Sequence, residues 1–291
     1  MGGKLLILGA GASGIAAARL GAAEGFDGIM VSDQKPSQMV SGFEWADDLP
    51  EHPEGRVIVS PGIPSDHPWL KCLQKLNLEI LPEFEFGAAR LKGTQIAVTG
   101  SLGKTSMVLL AADLLRASGY KVTVSGNIGK PVSEIALEQP EADFHVIELS
   151  SFQLEITQSY RADRAVCLNL FPNHLDRHHD LQAYAVAKAR LYKFQSPGDI
   201  AVWPAEYPVS VETAAERVEM DNVALPKLGN SLFRTSALRK NLQALFAGLD
   251  GIENVDAFRQ ERIIKNFPFP PHRLQCLQIK GAGKVVDDSK S

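Results

Sequence analysis

Apolar and polar positions along the chain alternate between two periods. Residues 5–8 form a short apolar run that ends at Gly9-Ala10-Gly11-Ala12-Ser13-Gly14, and a helical pattern follows over 15–24. A second apolar run, 28–32, ends at Asp33. Apolar runs on either side of a helix-period stretch predict a βαβ unit, both strands buried in a parallel sheet. Residues 57–59 predict another strand, closed by Ser60-Pro61-Gly62-Ile63-Pro64, where two prolines restrict φ in a rigid turn. A helix over 68–76 and a strand over 79–81 complete a first unit by about residue 90.

A second unit opens with a strand over 95–99, a loop over 100–104 and a helix over 105–118. Strands are predicted over 121–124, 144–149 and 165–170, and a helix between 178 and 192. Strands alternating with helices in this way predict a doubly wound α/β architecture. The pattern weakens from about residue 199, and 205–227 carries no clear period. Helical stretches return over 235–249 and 255–266, and Pro268, Pro270 and Pro271 then interrupt the chain. A strand-like 284–286 stands immediately before the last residues, so a third domain is expected to begin here and to be missing from the 291 residues.

Composition narrows the class without changing it. One domain per ~150 residues gives about two. Hydrophobic residues make up 45% and charged residues 22%, an ordinary globular mix that excludes collagen, coiled coil and wholesale disorder. A net charge of −4 argues against a general nucleic-acid binder, which needs a basic surface. Cys72, Cys167 and Cys276 are odd in number and form no CxxC, which fits a reducing compartment better than a disulfide framework. No apolar stretch reaches ~18 residues and the first apolar run is too short for a signal peptide, so no membrane association and a cytoplasmic location are expected.

Three groups of residues carry candidate chemistry. The glycines of 9–14 let the backbone turn tightly and approach a phosphate at a helix N-terminus, though a tight βα turn without ligand would look the same. Asp33, 19 residues after Gly14, could bond a ribose or a base edge or could be a solvated strand end. Gly100-Ser101-Leu102-Gly103-Lys104-Thr105-Ser106 follows an apolar strand and opens a helix. It lacks the first Gly of a full GxxxxGK[ST], because Val98 stands there, but keeps the Gly-Lys-Thr core. In such a core, backbone N–H groups cradle phosphates, Lys104 meets phosphate oxygens and Thr105 reaches Mg²⁺.

The third group lies at later strand ends. Glu148 closes a buried strand, where a carboxylate needs a partner such as a metal ion. His174 follows another strand and could ligate a metal or orient a phosphate. Both belong to the carboxyl edge of one predicted sheet, where open α/β sheets bind ligands. His178 and His179 are expected to face solvent. Lys188, among apolar helix residues, is expected to snorkel to water, although a desolvated lysine could lose its proton and react with CO₂.

Taken in order and spacing, these pieces resemble the bacterial Mur ligases. The matching segments are GAGASGIAAA, SPGIPSDHP, EFEF, IAVTGSLGKTS, GNIGKP, VIELSSFQLE, NHLDRHH, YAVAKARLY, PHRL and DDSK, from residue 9 to residue 290. The resemblance implies a Rossmann-like domain over 1–90 that binds a UDP substrate and no NAD, a P-loop-type doubly wound ATPase domain over 91–268, and the start of a truncated third α/β domain over 269–291. It assigns Gly11, Ala12, Ser13, Asp33 and Gln34 to the uridine nucleotide, Ser60, Pro61 and Gly62 to the sugar-diphosphate, and Asn127 to the muramoyl group. Gly100, Ser101, Gly103, Lys104, Thr105 and Ser106 would hold ATP, with Arg273, Asp288 and Lys290 near its nucleotide. Thr105 and Glu148 would hold one Mg²⁺, and His174 and Lys188 a second, Lys188 as its carbamate. Lys104, Glu148, His174 and Lys188 would be the catalytic set.

The implied reaction is an ATP-dependent amide ligation. It joins D-glutamate to UDP-N-acetylmuramoyl-L-alanine through an acyl phosphate in peptidoglycan precursor synthesis, with small-molecule partners only and a monomeric enzyme. Two departures stand out. Ser101-Leu102 replaces the family's usual Thr-Asn, and 229–235 lacks the Asn/His pair that helps hold adenine. With the third domain absent, the 291 residues are expected to turn over poorly. Three other readings stay open: an NAD(P) oxidoreductase using residues 9–14, a non-catalytic nucleotide-binding remnant, and a related Mur, folylpolyglutamate-type or L-glutamate-adding ligase.

Overall fold

A computed structural model describes residues 3–228, 233, 235–271, 275–279 and 283–287. In chain order the elements are β1 (Lys4–Leu8), α1 (Ala12–Ala23), β2 (Asp27–Val31), β3 (Phe43–Ala46), β4 (Arg56–Val59), α2 (Pro68–Gln74), β5 (Ile80–Pro82) and α3 (Glu83–Ala88). They continue with β6 (Lys92–Thr99), α4 (Lys104–Ala117), β7 (Val122–Gly126), α5 (Val132–Glu138), β8 (Glu141–Glu148), α6 (Ser151–Leu154) and β9 (Arg164–Cys167). The remainder is α7 (Leu175–His178), α8 (Leu181–Ala189), β10 (Ile200–Val202), β11 (Glu216–Arg217), α9 (Ser236–Gly248), α10 (Glu261–Asn266) and a hairpin of β12 (Gln275–Ile279) with β13 (Gly283–Asp287). No helix among the described residues is long and apolar enough to cross a membrane.

Two compact units result. The first holds residues 1–93 together with 125–142 and 149–160, so two later segments pack onto the element set that opens the chain. Its sheet has the order β3-β2-β1-β4-β5, with every pair parallel. Strand β1 is central and apolar on both faces because helices cover both. Leu6 and Leu8 pack with Leu70 and Leu73 of α2. On the other face, a Cβ at Gly21 of α1 would come within 2.5 Å of Leu5 Cδ1. Burying each such leucine stabilises the fold by roughly 1.5–3 kcal/mol.

The βα turn after β1 shows why its glycines are there. Gly9 has φ +93°, a conformation L side chains rarely adopt. A Cβ on Gly14 would sit 1.8 Å from the Gly9 carbonyl oxygen. Helix α1 therefore starts close against its own strand, as a dinucleotide-type turn requires.

Helix α5 belongs to this unit through α1 and α3. Its N-cap is Pro131, which offers no side-chain cap. The Glu83 carboxylate supplies one instead, accepting the Ser133 N–H at 2.7 Å. Glu83 is 2% exposed, and burial pushes its carboxyl up to about 7. Glu85 on the same helix accepts the N–H groups of Gln158 and Ser159 and the Ser159 hydroxyl.

The second unit holds the remaining residues around a sheet of order β11-β10-β9-β6-β8-β7. Its β6–β9, β9–β10 and β10–β11 pairs are parallel. Helix α4 buries Met107, Val108, Leu110, Ala111, Leu114 and Leu115, a stripe at helical spacing. Helix α9 comes so close to β9 that a Cβ at Gly248 would lie 2.3 Å from Val166 Cγ2.

Candidate functional site

Helix α4 starts in an unusual way for a buried helix. Its N-cap, Gly103, has φ 82° and no side chain to satisfy the first-turn N–H groups. The first intrahelical bond runs from Met107 N to Gly103 O. The N–H groups of residues 103–106 thus precede the helical ladder, and with the helix dipole they form an anion-binding end. Gly100, at φ +146°, lets the strand turn sharply into this loop.

Around that end the side chains gather. Thr105, 8% exposed, donates its hydroxyl hydrogen to Glu148 Oε2 at 2.9 Å, and Glu148 is 1% exposed. Lys104 Nζ folds back over the loop and donates to Gly100 O at 2.8 Å and Ser101 O at 3.1 Å. Lys188 Nζ donates to Gly100 O at 3.0 Å and Thr99 Oγ1 at 3.1 Å. Lys104, Thr105 and Glu148 therefore share one locality with Lys188. Ser101 and Ser106 are buried beside them.

Lys188 corrects the expectation of a snorkelling side chain. It is 1% exposed, with its Nζ 4.6 Å from the centre of the Tyr184 ring. Helix α8 turns its alanine face and this lysine inward together, because residues 184, 185, 187 and 188 share one face. Desolvation first, and then the charge of Lys104, hold its ammonium down to about 7. His178 corrects another expectation: it is 4% exposed and lies against Tyr184 at 5.1 Å between ring centres. His179 is exposed as expected.

His174 has a different setting. It is the exposed N-cap of the short α7, at φ 53°. Among the described residues no group of three or more His, Cys, Asp or Glu could hold a metal ion. The donors at the helix end are instead a hydroxyl, a carboxylate and a lysine.

A cavity of about 540 Å³ opens beside the loop, lined by Leu102, Phe171, Pro204, Met220 and Leu238 with a few polar groups that include Asn169, Lys240 and Asn241. Its size and mostly apolar lining suit a nucleoside. Leu102 and Phe171 are 42% and 48% exposed, large apolar surfaces that a bound ring would cover. Asn169 and Asn241 escaped the sequence reading. Asn169 carried a signal, a polar residue just past a buried strand, but Asn241 lies mid-helix and none of the patterns read from the sequence marks it.

In the first unit, Gly11, Ala12 and Ser13 follow β1, Asp33 and Gln34 follow β2, and Ser60, Pro61 and Gly62 follow β4. All stand at the carboxyl edge of the sheet, where its strand order reverses. The Ser60 hydroxyl donates to Gly9 O at 3.3 Å, while Asp33, Gln34 and Gly62 are exposed. Asn127 is exposed on the turn between β7 and α5. Arg273, Asp288 and Lys290 lie outside the described residues, as do 229–232 and 234 of the stretch where an adenine-holding pair was sought.

Known proteins are similar to this chain. The family model for the Mur ligase middle domain matches residues 98–245. The UDP-N-acetylmuramoylalanine–D-glutamate ligase of Thermus thermophilus is 36% identical over 291 aligned residues, covering 98% of this chain and 68% of that protein. The chain belongs to the Mur ligase family. A D-glutamate ligase from Solibacter usitatus is 39% identical over 220 residues, covering 74% of this chain and 50% of its own. This Mur ligase chain spans between half and 72% of the length of such relatives.

Solved structures share its fold at lower identity. The L-alanyl-γ-D-glutamyl-meso-diaminopimelate ligase of Neisseria meningitides superposes with a TM-score of 0.59 at 14% identity, covering 92% of this chain and 98% of that one. MurF of Thermotoga maritima, solved with ADP, gives 0.56 at 17% identity, covering 89% and 61%. Escherichia coli FolC, solved with DHPP and ADP, gives 0.55 at 20% identity, covering 79% and 71%.

Proposed function

We propose that this Mur ligase chain belongs to an ATP-dependent ligase that adds D-glutamate to UDP-N-acetylmuramoyl-L-alanine in peptidoglycan precursor synthesis. One observation carries the reading: the Thr105–Glu148 pair at the open N-terminus of α4. A hydroxyl and a buried carboxylate are hard oxygen donors, which suit magnesium. Gly100 and Gly103, both at positive φ, give the loop the tight turn that opens the helix N-terminus, which suits a polyphosphate. The names of the relatives support D-glutamate as the amino acid.

Bound magnesium–ATP supplies the γ-phosphoryl group that turns the substrate carboxylate into an acyl phosphate, from which the amine of D-glutamate displaces phosphate. The protein's task is to position and to neutralise charge. Lys104, already bent over the loop, brings a cation to the phosphate oxygens. Gly100, Ser101, Gly103 and Ser106 line the approach, and residues 103–106 present N–H groups. Thr105 and Glu148 hold a magnesium ion. His174 and Lys188 serve a second one, Lys188 as a carbamate whose oxygens replace its cationic nitrogen. Arg273, Asp288 and Lys290 complete the nucleotide contacts.

In the first unit, Gly11, Ala12, Ser13, Asp33 and Gln34 take the uridine nucleotide. Ser60, Pro61 and Gly62 take the sugar-diphosphate, and Asn127 the muramoyl group. Their shared position at the carboxyl edge supports this assignment. The monomeric cytoplasmic enzyme expected from the sequence belongs to the same proposal.

Calorimetric titration with magnesium–ADP, and separately with UDP-N-acetylmuramoyl-L-alanine, tests the reading. Both should bind, and chelating magnesium should weaken only the first. A chain that binds neither is not the nucleotide-and-UDP-substrate part of such a ligase. Phosphate release with D-glutamate against L-glutamate, in the protein that carries the remaining domain, decides the amino acid.

A further inference from the structure

The nucleotide chemistry just described leaves two buried carboxamides unused, Asn169 at 9% and Asn241 at 4% exposure. Asn169 lies two residues beyond β9, and its side chain is fully engaged. Its Oδ1 accepts the Leu102 N–H at 3.0 Å and shares the Ser101 N–H, at 3.1 Å, with its own main-chain carbonyl. Its Nδ2 donates to Leu102 O at 2.8 Å and Asn241 Oδ1 at 2.7 Å. Exchanging the oxygen and nitrogen would set donors against donors and acceptors against acceptors, so the network dictates the orientation.

Asn241 completes the arrangement from α9. Its Nδ2 reaches Leu102 O at 3.4 Å and lies 2.5 Å from the place of a Cβ on Gly103. The same helix lines the apolar cavity through Leu238, Lys240 and Asn241. One amide–amide contact thus ties the cavity wall to the glycine loop.

In many phosphate-binding loops successive backbone N–H groups turn toward the anion. Here those of Ser101 and Leu102 are directed at Asn169, and the N–H groups that precede the helical ladder are those of residues 103–106. We infer that Asn169 is a positioning residue for nucleotide phosphates. It fixes the first half of the loop so that the first turn of α4 alone faces the anion, and Asn241 holds Asn169 in the required orientation. This rests on the nucleotide reading above.

The test combines magnesium–ADP titration with amide hydrogen exchange in the nucleotide-free chain, on Asn169→Ala, Asn169→Asp, Asn241→Ala and the 169/241 double-alanine variant. Asn169→Ala should weaken magnesium–ADP about tenfold to a hundredfold and speed exchange at Leu102, while the Ser101 N–H keeps its bond to the main-chain carbonyl of residue 169. Asn169→Asp keeps the acceptor but loses both donors and adds charge. It should keep exchange slow at Ser101 and Leu102 while still binding nucleotide more weakly. The double variant should lose less than the sum of its parts.

Binding by Asn169→Ala within about twofold of the unaltered chain overturns the inference and leaves the nucleotide reading standing. Additive losses in the double variant overturn the part given to Asn241. Failure of the unaltered chain to bind magnesium–ADP removes the nucleotide reading itself, and the inference with it. Should Asn169→Ala not fold, Asn169→Asp and Asn241→Ala decide, because both keep Asn169 or an isostere in place. Unchanged nucleotide affinity in both would again overturn it.

Discussion

The Thr105 hydroxyl donates to Glu148 across the carboxyl edge of the second sheet, joining the first turn of α4 to the end of β8 at 2.9 Å. Under the proposed function a magnesium ion at this pair would make the hydroxyl matter to nucleotide affinity only when the metal is present. Thr105→Val should weaken magnesium–ADP about tenfold and leave metal-free ADP within about twofold. Thr105→Ser should restore the metal dependence. Calorimetry with and without magnesium reads the difference; equal losses in both conditions would assign the hydroxyl to packing alone.

Gly14 faces the opposite problem, a backbone atom with no room to move. A methyl group there would meet the Gly9 carbonyl oxygen at 1.8 Å. Gly14→Ala should destabilise the first unit by about 3 kcal/mol or more, because relief requires separating α1 from β1. Chemical denaturation should show an early transition that the unaltered chain lacks.

Glu83 sets a pH dependence whose sign follows from its burial. Its carboxyl titrates near 7 in the folded chain against 4.5 for an ordinary glutamate. Below about 4.5 both states hold the proton and the difference vanishes. Between 4.5 and 7 the unfolded chain ionises first, so this group's contribution to stability falls as pH rises, by roughly 3 kcal/mol in all, and then levels off. Glu83→Gln keeps an oxygen for the Ser133 N–H and cannot ionise. Relative to the unaltered chain it should gain stability progressively from about pH 5 to 7, as read by urea midpoints. A parallel pH profile for the two proteins would show that Glu83 ionises freely.

Lys188 offers a neutral amine over part of the same range, since its ammonium is held down to about 7. The amine nitrogen can add to the carbon of CO₂ and release a proton, leaving an anionic carbamate. Isotope-labelled bicarbonate should produce a carbamate carbon resonance that strengthens from about pH 6 to about pH 8 and is absent in Lys188→Met. No resonance in the unaltered chain would mean that the lysine stays an amine.

Much of the fold was legible because it rests on local pattern. The buried strands β1, β2, β4 and β9 and the second half of β6 are short apolar runs, and α4 and α9 carry helix-period stripes. Some short elements, β3, α3 and α5 among them, were not legible. Strand β3, Phe43–Ala46, mixes Glu44 into an edge position, and α5 lacks a side-chain cap of its own. Such elements are specified by what they dock against, and for α5 that partner is Glu83, 50 residues away in sequence. The addition of 125–142 and 149–160 to the first unit has the same origin. Contacts of α5 with α1 and α3 decide it, and no local period announces them.

Residue order alone marked the turns. Gly9, Gly14, Gly100 and Gly103 mark places where the backbone must bend or approach closely, and Lys104, Thr105 and Glu148 follow strands whose ends share one edge. Those constraints are local, so spacing displays them. Packing in three dimensions settled which polar groups lose their water. Lys188 and His178 read as surface residues, yet packing around Tyr184 buries both. Asn169 and Asn241 read as nothing in particular, yet they meet beneath the glycine loop, because hydrogen bonding between distant segments depends on where the helices come to rest.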